Sequence, residues 1–337
     1  MAWAFSAWHD SAMRAAVCRQ YGPPEVVTIE ETAVPHPEPG MVVIEVQAAA
    51  VNFADSLLIA NEYQVPMPLP FTPGSELAGV ITQCGEGIDS FSVGDRVYGS
   101  AFAGGFAEFA VLPAAVLHPM ADSSTFLEAA AFGVAHATAY HALRTVAKIK
   151  PKDWVVVLGA GGGVGMAGVE LASLLGGRVI AAASSEEKLA AAVAQGAEAT
   201  INYETEDLKT RIKEITDRGA DIVLDPVGGD YSEAALRATR FGGRFVVLGF
   251  AAGAIPRIPL NLVLLKGMTI VGLDIFSFAR NDPESAARDN SELHELFATG
   301  QIHPVVSQRF ALDQTIAALR VVADRQAIGK VIVEPQL

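Results

Sequence analysis

A two-domain α/β chain is predicted, one domain a mostly antiparallel β-barrel and the other a doubly wound parallel sheet, and three observations predict it. From Trp154 to Lys188 the chain reads WVVVLGAGGGVGMAGVELASLLGGRVIAAASSEEK, an apolar run, a cluster of glycines, a helical spacing and a second apolar run. Two strands with a helix between them can pair only in parallel, with a right-handed crossover. Beyond Trp154 strand-like and helix-like segments then alternate regularly, which is the pattern of a parallel sheet covered by helices. Ahead of it, from Met13 to about Leu117, short β-branched runs are separated by Pro and Gly with no helical connectors, which is the pattern of a barrel.

In chain order, residues 1–12 (MAWAFSAWHDSA) lack the basic start and long apolar core of a secretory signal and read as an upstream extension. Strand signals follow at 41–51, 77–85, 95–100 and 104–113, punctuated by Pro23, Pro24, Pro66, Pro68, Pro70 and Pro73. Alanine-rich helical texture spans Ser123 to Ala147, and the change of domain is expected near Gly133 to Thr138. Strands are predicted at 154–158, 178–183, 199–203, 221–226, 244–249 and 269–274. After a helix at 284–298, a strand-like run at 304–312, a helix at 313–323 and the strand GKVIVEP (329–335) return to the first texture. The barrel domain is therefore assigned residues 13–136 completed by 276–337, and the parallel sheet residues 137–275.

At 337 residues, with 51% hydrophobic and 18% charged side chains, the chain has enough apolar material for two cores. No run approaches the ~18 apolar residues of a membrane span. Against 38 acidic residues there are 24 basic ones, a formal charge of −14 with no basic cluster, so neither nucleic acid nor an anionic membrane is an expected partner. Two cysteines, Cys18 and Cys84, make neither a disulfide framework nor a four-cysteine zinc lobe, and a reducing cytoplasm is expected.

The glycines carry the chemistry. Gly159, Gly162 and Gly165 recur at every third position between strand and helix, where positive φ and the absence of side chains let a pyrophosphate approach the free N–H groups of the first helical turn. A dinucleotide is the expected ligand. At the end of the second strand an NAD site carries an acid for the ribose 2′-hydroxyl, whereas this chain has Ser184, Ser185 and, one turn on, Lys188. Hydroxyls and an ammonium suit a 2′-phosphate, so NADPH is expected over NADH. Glu186 and Glu187 lie close by and count the other way; a helix first turn explains acidic residues there.

The segments VNFADSLL (51–58), PFTPGSELAGVI (70–81), FSVGDRVYG (91–99), TAYHAL (138–143), GAGGGVG (159–165), GAEATINYETED (196–207), DIVLDPVGGD (221–230), GGRFVVLGFAAG (242–253) and GKVIVEP, in this order, resemble the medium-chain dehydrogenase/reductase superfamily and its zinc-free quinone oxidoreductase, zeta-crystallin-like, branch. The resemblance implies a GroES-like β-barrel catalytic domain and a Rossmann-type coenzyme domain. Zinc-dependent members hold their metal with Cys, His and Cys; this chain has Asn52-Phe53-Ala54-Asp55 and Gly74-Ser75-Glu76 in the matching places, so no metal is expected. Hydride transfer from NADPH to a quinone or another activated α,β-unsaturated carbonyl is the implied reaction, because conjugation disperses the charge that a metal would otherwise carry. The alternatives are an enoyl-CoA reductase and a non-catalytic, crystallin-like NADPH-binding protein.

By matching positions the resemblance implies Asn52, Tyr63 and Thr138 in the catalytic set. It implies Gly162, Gly163 and Val164 at the pyrophosphate, Ser184 and Lys188 at the 2′-phosphate and Tyr203 on the adenosine side. Gly249, Phe250 and Ala252 fall at the nicotinamide together with Asn52 and Thr138, and Lys330 is a further coenzyme candidate. Phe53 replaces one of the branch's two substrate-flanking tyrosines, leaving Tyr63. The apolar edge strand Met268 to Asp274 points to a homodimer.

Overall fold

The computed structural model describes residues 12–337, and the described residues divide into two compact units, one running to Val134 and resuming at Pro304, the other spanning Ala135–His303. The expected extension at residues 1–12 lies outside the described residues except for Ala12, which opens the first strand.

The first unit begins with a hairpin of β1 (Ala12–Cys18) and β2 (Val27–Ala33), paired antiparallel. The long strand β3 (Met41–Val51) runs into α1 (Phe53–Ala60), followed by β4 (Glu76–Cys84), β5 (Arg96–Ser100), β6 (Phe109–Pro113) and β7 (Leu117–Pro119). Val42, Val43, Ile44 and Val46 of β3 are all fully buried. A strand covered on both faces reads as a continuous apolar run rather than an alternation, and each such side chain contributes about 1.5–3 kcal/mol of burial. Ile81, Val97 and Phe106 share one core with Val42, Ile44 and Val46. Helix α2 (Phe126–His141) carries the chain across the division.

The second unit holds β8 (Trp154–Leu158), α3 (Gly163–Leu174), β9 (Arg178–Ala183), α4 (Glu186–Ala194), β10 (Ala199–Asn202), α5 (Leu208–Thr216), β11 (Ala220–Asp225), α6 (Gly229–Ala238), β12 (Thr239–Val247), α7 (Asn261–Lys266) and β13 (Thr269–Gly272). The six strands are parallel in the order β10-β9-β8-β11-β12-β13. The expected doubly wound sheet is therefore present, and its winding reverses beside β8. Strand β12 starts earlier than 244 and ends at Val247, because the N–H groups of Leu248 and Gly249 turn back to the carbonyl of Asp225 at 2.8 and 3.3 Å.

Helices α8 (Ile275–Asn281) and α9 (Pro283–Ala298) complete this unit. Residues 276–303, expected with the barrel, pack here instead. The fully buried Asp289 of α9 accepts from Thr145 Oγ1 at 2.7 Å and pairs with His141 Nδ1 at 3.0 Å, while Glu292 accepts from Tyr140 at 2.8 Å and Arg144 at 2.9 Å. A buried carboxylate is tolerated only where its partners are, and those partners lie on α2 and the π-helical turn after it (Ala142–Val146). Both segments by which the chain enters and leaves the unit are tied to Glu170 of α3, which accepts the His303 N–H at 2.6 Å and faces His136 Nε2 at 3.0 Å.

The tail then rejoins the first unit as expected. Strand β14 (Val306–Ala311) pairs parallel with β15 (Lys330–Glu334), α10 (Thr315–Ala323) lies between them in sequence, and β15 pairs antiparallel with β3. The resulting seven-stranded sheet is antiparallel apart from the β14–β15 pair. No helix among the described residues is long and apolar enough to cross a membrane.

Candidate functional site

Most of the expected coenzyme residues fall at the carboxyl ends of the parallel strands, beside the point where the winding reverses, and open α/β sheets bind their ligands there. After β8, Gly159 takes a φ of +59°, which L side chains avoid, and its carbonyl accepts the Gly162 N–H at 2.9 Å to close the turn. Gly162 caps α3, and Gly163, Val164 and Gly165 form its first turn, whose N–H groups have no partner within the helix. A methyl group on Gly162 would meet nothing nearer than 3.5 Å, so this face of the loop is open.

After β9, Ser185 caps α4 by accepting the Lys188 N–H at 3.4 Å, and Lys188 Nζ donates to Ser184 Oγ at 3.1 Å. The lysine stem lies over the glycine loop, since a methyl group on Gly161 would stand 2.5 Å from Lys188 Cγ. The hydroxyl–ammonium pair read from the sequence is thus assembled beside the loop. Tyr203 follows β10, donates its N–H to the Ala183 carbonyl at 3.2 Å and stacks on Tyr231 with ring centroids 4.3 Å apart.

Asp225, at the end of β11 and buried, accepts the N–H groups of Val227 and Gly228 at 2.9 and 2.8 Å and the hydroxyl of Ser232. It builds the next loop, onto which Phe250 and Ala252 fold: Ala252 N–H donates to the Val227 carbonyl at 2.8 Å. Gly249 opens this loop, and Phe250 is partly exposed. Thr138 lies half-buried on α2 in the same unit.

In the first unit the register of three neighbouring strands assembles a buried polar cluster. Pairing of Val331 with Val51 and of Ala50 with Glu76 sets Lys330, Asn52 and Glu76 side by side on one rim. Lys330 Nζ donates to Asn52 Oδ1 at 2.6 Å and to Glu76 Oε1 at 2.5 Å. Asn52 Nδ2 donates to Ser75 Oγ at 3.1 Å and to Glu76 Oε1 at 3.0 Å, and Glu76 Oε2 accepts the Val134 N–H at 2.8 Å. Both amide hydrogens of Asn52 are therefore engaged. Tyr63 packs at the margin of this unit's apolar core. The expected set is thus divided, with Asn52, Tyr63 and Lys330 in the first unit and the remainder in the second.

Asp55, wholly buried, accepts the Asn52 N–H at 2.7 Å. Burial raises its pKa to about 6, against the opposing pull of that N–H, the Ser75 hydroxyl and the Lys330 charge, with Glu76 adding to the rise. Removal from water is the largest of these causes and the Glu76 charge the smallest. Folded Asp55 holds its proton more tightly than the unfolded chain does, so its contribution to stability is present below about pH 4 and is lost as the pH rises through about 6. Asp55→Asn should therefore raise unfolding free energy at pH 8 by up to about 3 kcal/mol and flatten the dependence between pH 4 and 7. Denaturant unfolding at successive pH values measures this; parallel profiles for the two proteins would refute it.

This cluster does not fit zinc. Asn52 and Ser75 stand where thiolate and imidazole are needed, and the nearest strong charge is an ammonium hydrogen-bonded to two of the oxygens. Among the described residues no group of three His, Cys, Asp or Glu is placed to hold a metal. The sequence marked Asp55 and Glu76 only as neighbours of replaced ligands and gave Asp225 no role of its own, although all three are buried.

Comparison with known proteins agrees with this architecture. The alcohol dehydrogenase GroES-like domain model matches residues 38–122, and the zinc-binding dehydrogenase model matches residues 163–291. A quinone oxidoreductase-like protein 2 homolog of Nematostella vectensis is 35% identical over 95% of this chain and 88% of its own length. The structure of Escherichia coli quinone oxidoreductase complexed with NADPH superposes with a TM-score of 0.86 at 27% identity, over 96% of this chain and 99% of that one. An NAD-dependent alcohol dehydrogenase structure superposes with a TM-score of 0.87 at 32% identity, over 96% and 99% of the two chains.

Proposed function

The chain belongs to the quinone oxidoreductase branch of the medium-chain dehydrogenase/reductase superfamily, and from that premise we propose that it is an NADPH-dependent reductase of quinones or other activated α,β-unsaturated carbonyls that works without zinc. The pairing of Lys188 with Ser184 at the carboxyl end of β9, with no acid in the ribose position, carries this reading. When bound, the reduced nicotinamide supplies the hydride. The N–H groups of Gly162, Gly163 and Val164 hold the pyrophosphate, Ser184 and Lys188 the 2′-phosphate, and the Tyr203 ring covers the adenosine. Thr138, Gly249, Phe250 and Ala252 take the nicotinamide end.

Tyr63 donates to the substrate carbonyl and orients it, while Phe53 offers no proton, so a reduced quinone collects its protons from solvent. Asn52 has spent both donors on Ser75 and Glu76, and we assign it a positioning role together with Lys330. An ammonium in the place of a metal leaves unactivated ketones without a Lewis acid, which restricts the substrate to acceptors that are already electrophilic. Cys18 and Cys84 are both free thiols, in keeping with the cytoplasm.

The test is oxidation of NADPH and NADH by the purified protein with a 1,4-naphthoquinone, an enone, an enoyl-CoA and a simple ketone. Quinone or enone reduction favouring NADPH and insensitive to chelators is expected. Reduction of neither acceptor, or activity that chelation removes and zinc restores, would overturn the proposal.

We also propose a homodimer through the edge strand β13, which among the described residues pairs only with β12. Nearby Phe241, Leu260, Leu264 and Leu265 are each more than 70% exposed, a patch of the kind that marks an interface. Sedimentation of the wild type as a dimer and of Leu264→Asp as a monomer is expected; a monomeric wild type would refute it.

A further inference from the structure

Carboxylates crowd the end of β9 and β10, where the proposed function needs a phosphate to bind. Glu186 and Glu187 open α4, and Glu204 and Glu206 follow β10. Three of the four are held by named partners. Glu186 Oε1 accepts from Asn202 Nδ2 at 2.9 Å, Glu204 Oε1 accepts from the Tyr231 hydroxyl at 2.7 Å, and Glu206 accepts from Arg211 Nε at 2.8 Å and from the Asn202 N–H at 2.8 Å. Glu187 is exposed.

Asn202 is the buried member of this group and is placed by the sheet. It pairs with Ala183, the residue before Ser184, and its side chain reaches Glu186, two residues beyond Ser184 in the chain. Its Oδ1 accepts the Glu204 N–H at 3.2 Å, which leaves Nδ2 as the atom facing Glu186 and settles the orientation of the amide.

We propose that Asn202 is a positioning residue for coenzyme choice: by holding the Glu186 carboxylate against the end of β10, it keeps that charge away from Ser184 and Lys188 and so preserves affinity for a 2′-phosphate. The inference rests on the reading that Ser184 and Lys188 take the 2′-phosphate. The field that favours a phosphate there, from the Lys188 ammonium and the first turn of α4, draws a neighbouring carboxylate equally. Glu186 is the first residue of that helix and is exposed. Released from Asn202, it becomes an intramolecular competitor for the Lys188 ammonium and a charge that repels the phosphate. A coenzyme lacking the 2′-phosphate has nothing to lose from this release.

The test compares wild type, Asn202→Asp, Glu186→Gln and the double variant by fluorescence titration with NADPH and NADH, and by calorimetry with 2′,5′-ADP and 5′-AMP as probes without the nicotinamide. Asp at 202 keeps the acceptor for the Glu204 N–H and turns the donor facing Glu186 into a repelling oxygen. Affinity of Asn202→Asp for NADPH and 2′,5′-ADP should fall about tenfold, with NADH and 5′-AMP unchanged as the check on folding. Glu186→Gln alone should change little, and in the double variant it should restore most of the loss, a coupling that a general disturbance of the strand would not produce. Equal loss of both coenzymes, no loss at all, or no rescue overturns the inference while the Ser184–Lys188 reading stands. A wild type with no preference for NADPH or 2′,5′-ADP overturns that reading itself, and the inference with it.

Discussion

Lys330→Met should destabilise the protein by about 3–5 kcal/mol, because removing one partner of a buried ion pair strands the other. Glu76 is 2% exposed and Lys330 4% exposed, and the same ammonium also serves Asn52 Oδ1. Without it Glu76, Asn52 and the already protonation-prone Asp55 share a rim with no cation. Adding Glu76→Gln to the variant should recover most of the loss, since a glutamine oxygen still accepts the Val134 N–H. Urea unfolding of the single and double variants gives both numbers, and a wild-type midpoint for Lys330→Met would show that the ion pair carries no net stability. Coenzyme titration of the same variant separates the two roles open to Lys330: a dissociation constant for NADPH within a few-fold of wild type identifies a framework residue, and a loss near a hundredfold identifies a coenzyme contact.

Gly165→Ala should cost about 3 kcal/mol and reduce NADPH affinity by about a hundredfold. A methyl group there would stand 2.1 Å from the Gly159 carbonyl oxygen and 2.8 Å from Ala160 Cα, and both obstacles are backbone, which yields only by moving the helix off the loop. Gly162→Ala is the companion. Its methyl group meets no protein atom closer than 3.5 Å, so it should fold with near wild-type stability and lose affinity through contact with the pyrophosphate. Thermal unfolding and coenzyme titration of the pair distinguish a glycine required by the fold from one required by the ligand. Equal behaviour of the two variants would mean that the loop does not approach the coenzyme.

The parts of the fold that were legible in the chain are those with local causes. All six strands of the parallel sheet were expected within a few residues of where they lie, because each is an apolar run bounded by glycine, proline or a helix cap. The glycine loop and the Ser184–Lys188 pair were legible for the same reason, their partners being at most a few residues away. Residues 276–303 were assigned to the wrong unit. Their allegiance depends on Asp289 meeting His141, a partner 148 residues distant, and nothing in the helical periodicity of α9 reports which surface it covers. Asn52 shows the same limit at the candidate site. The family resemblance implied a place for it near the coenzyme, but nothing local reported that its amide oxygen accepts from Lys330, 278 residues later in the chain.

By itself the sequence determined which chemical groups this protein owns and in what local order: a strand, a glycine turn, a helix, a hydroxyl and an ammonium one turn apart, and Asn52 and Ser75 rather than cysteine or histidine ahead of Asp55 and Glu76. Only the tertiary structure decided which charges neutralise one another, seating Lys330 between Asn52 and Glu76, leaving Asp55 with the surplus proton affinity and tying Glu186 to Asn202. The reason is physical. Residue type sets what a group can do, but the energy of a charge depends on its distance from other charges and on the water excluded around it, and both are fixed by strand register between segments far apart in the chain.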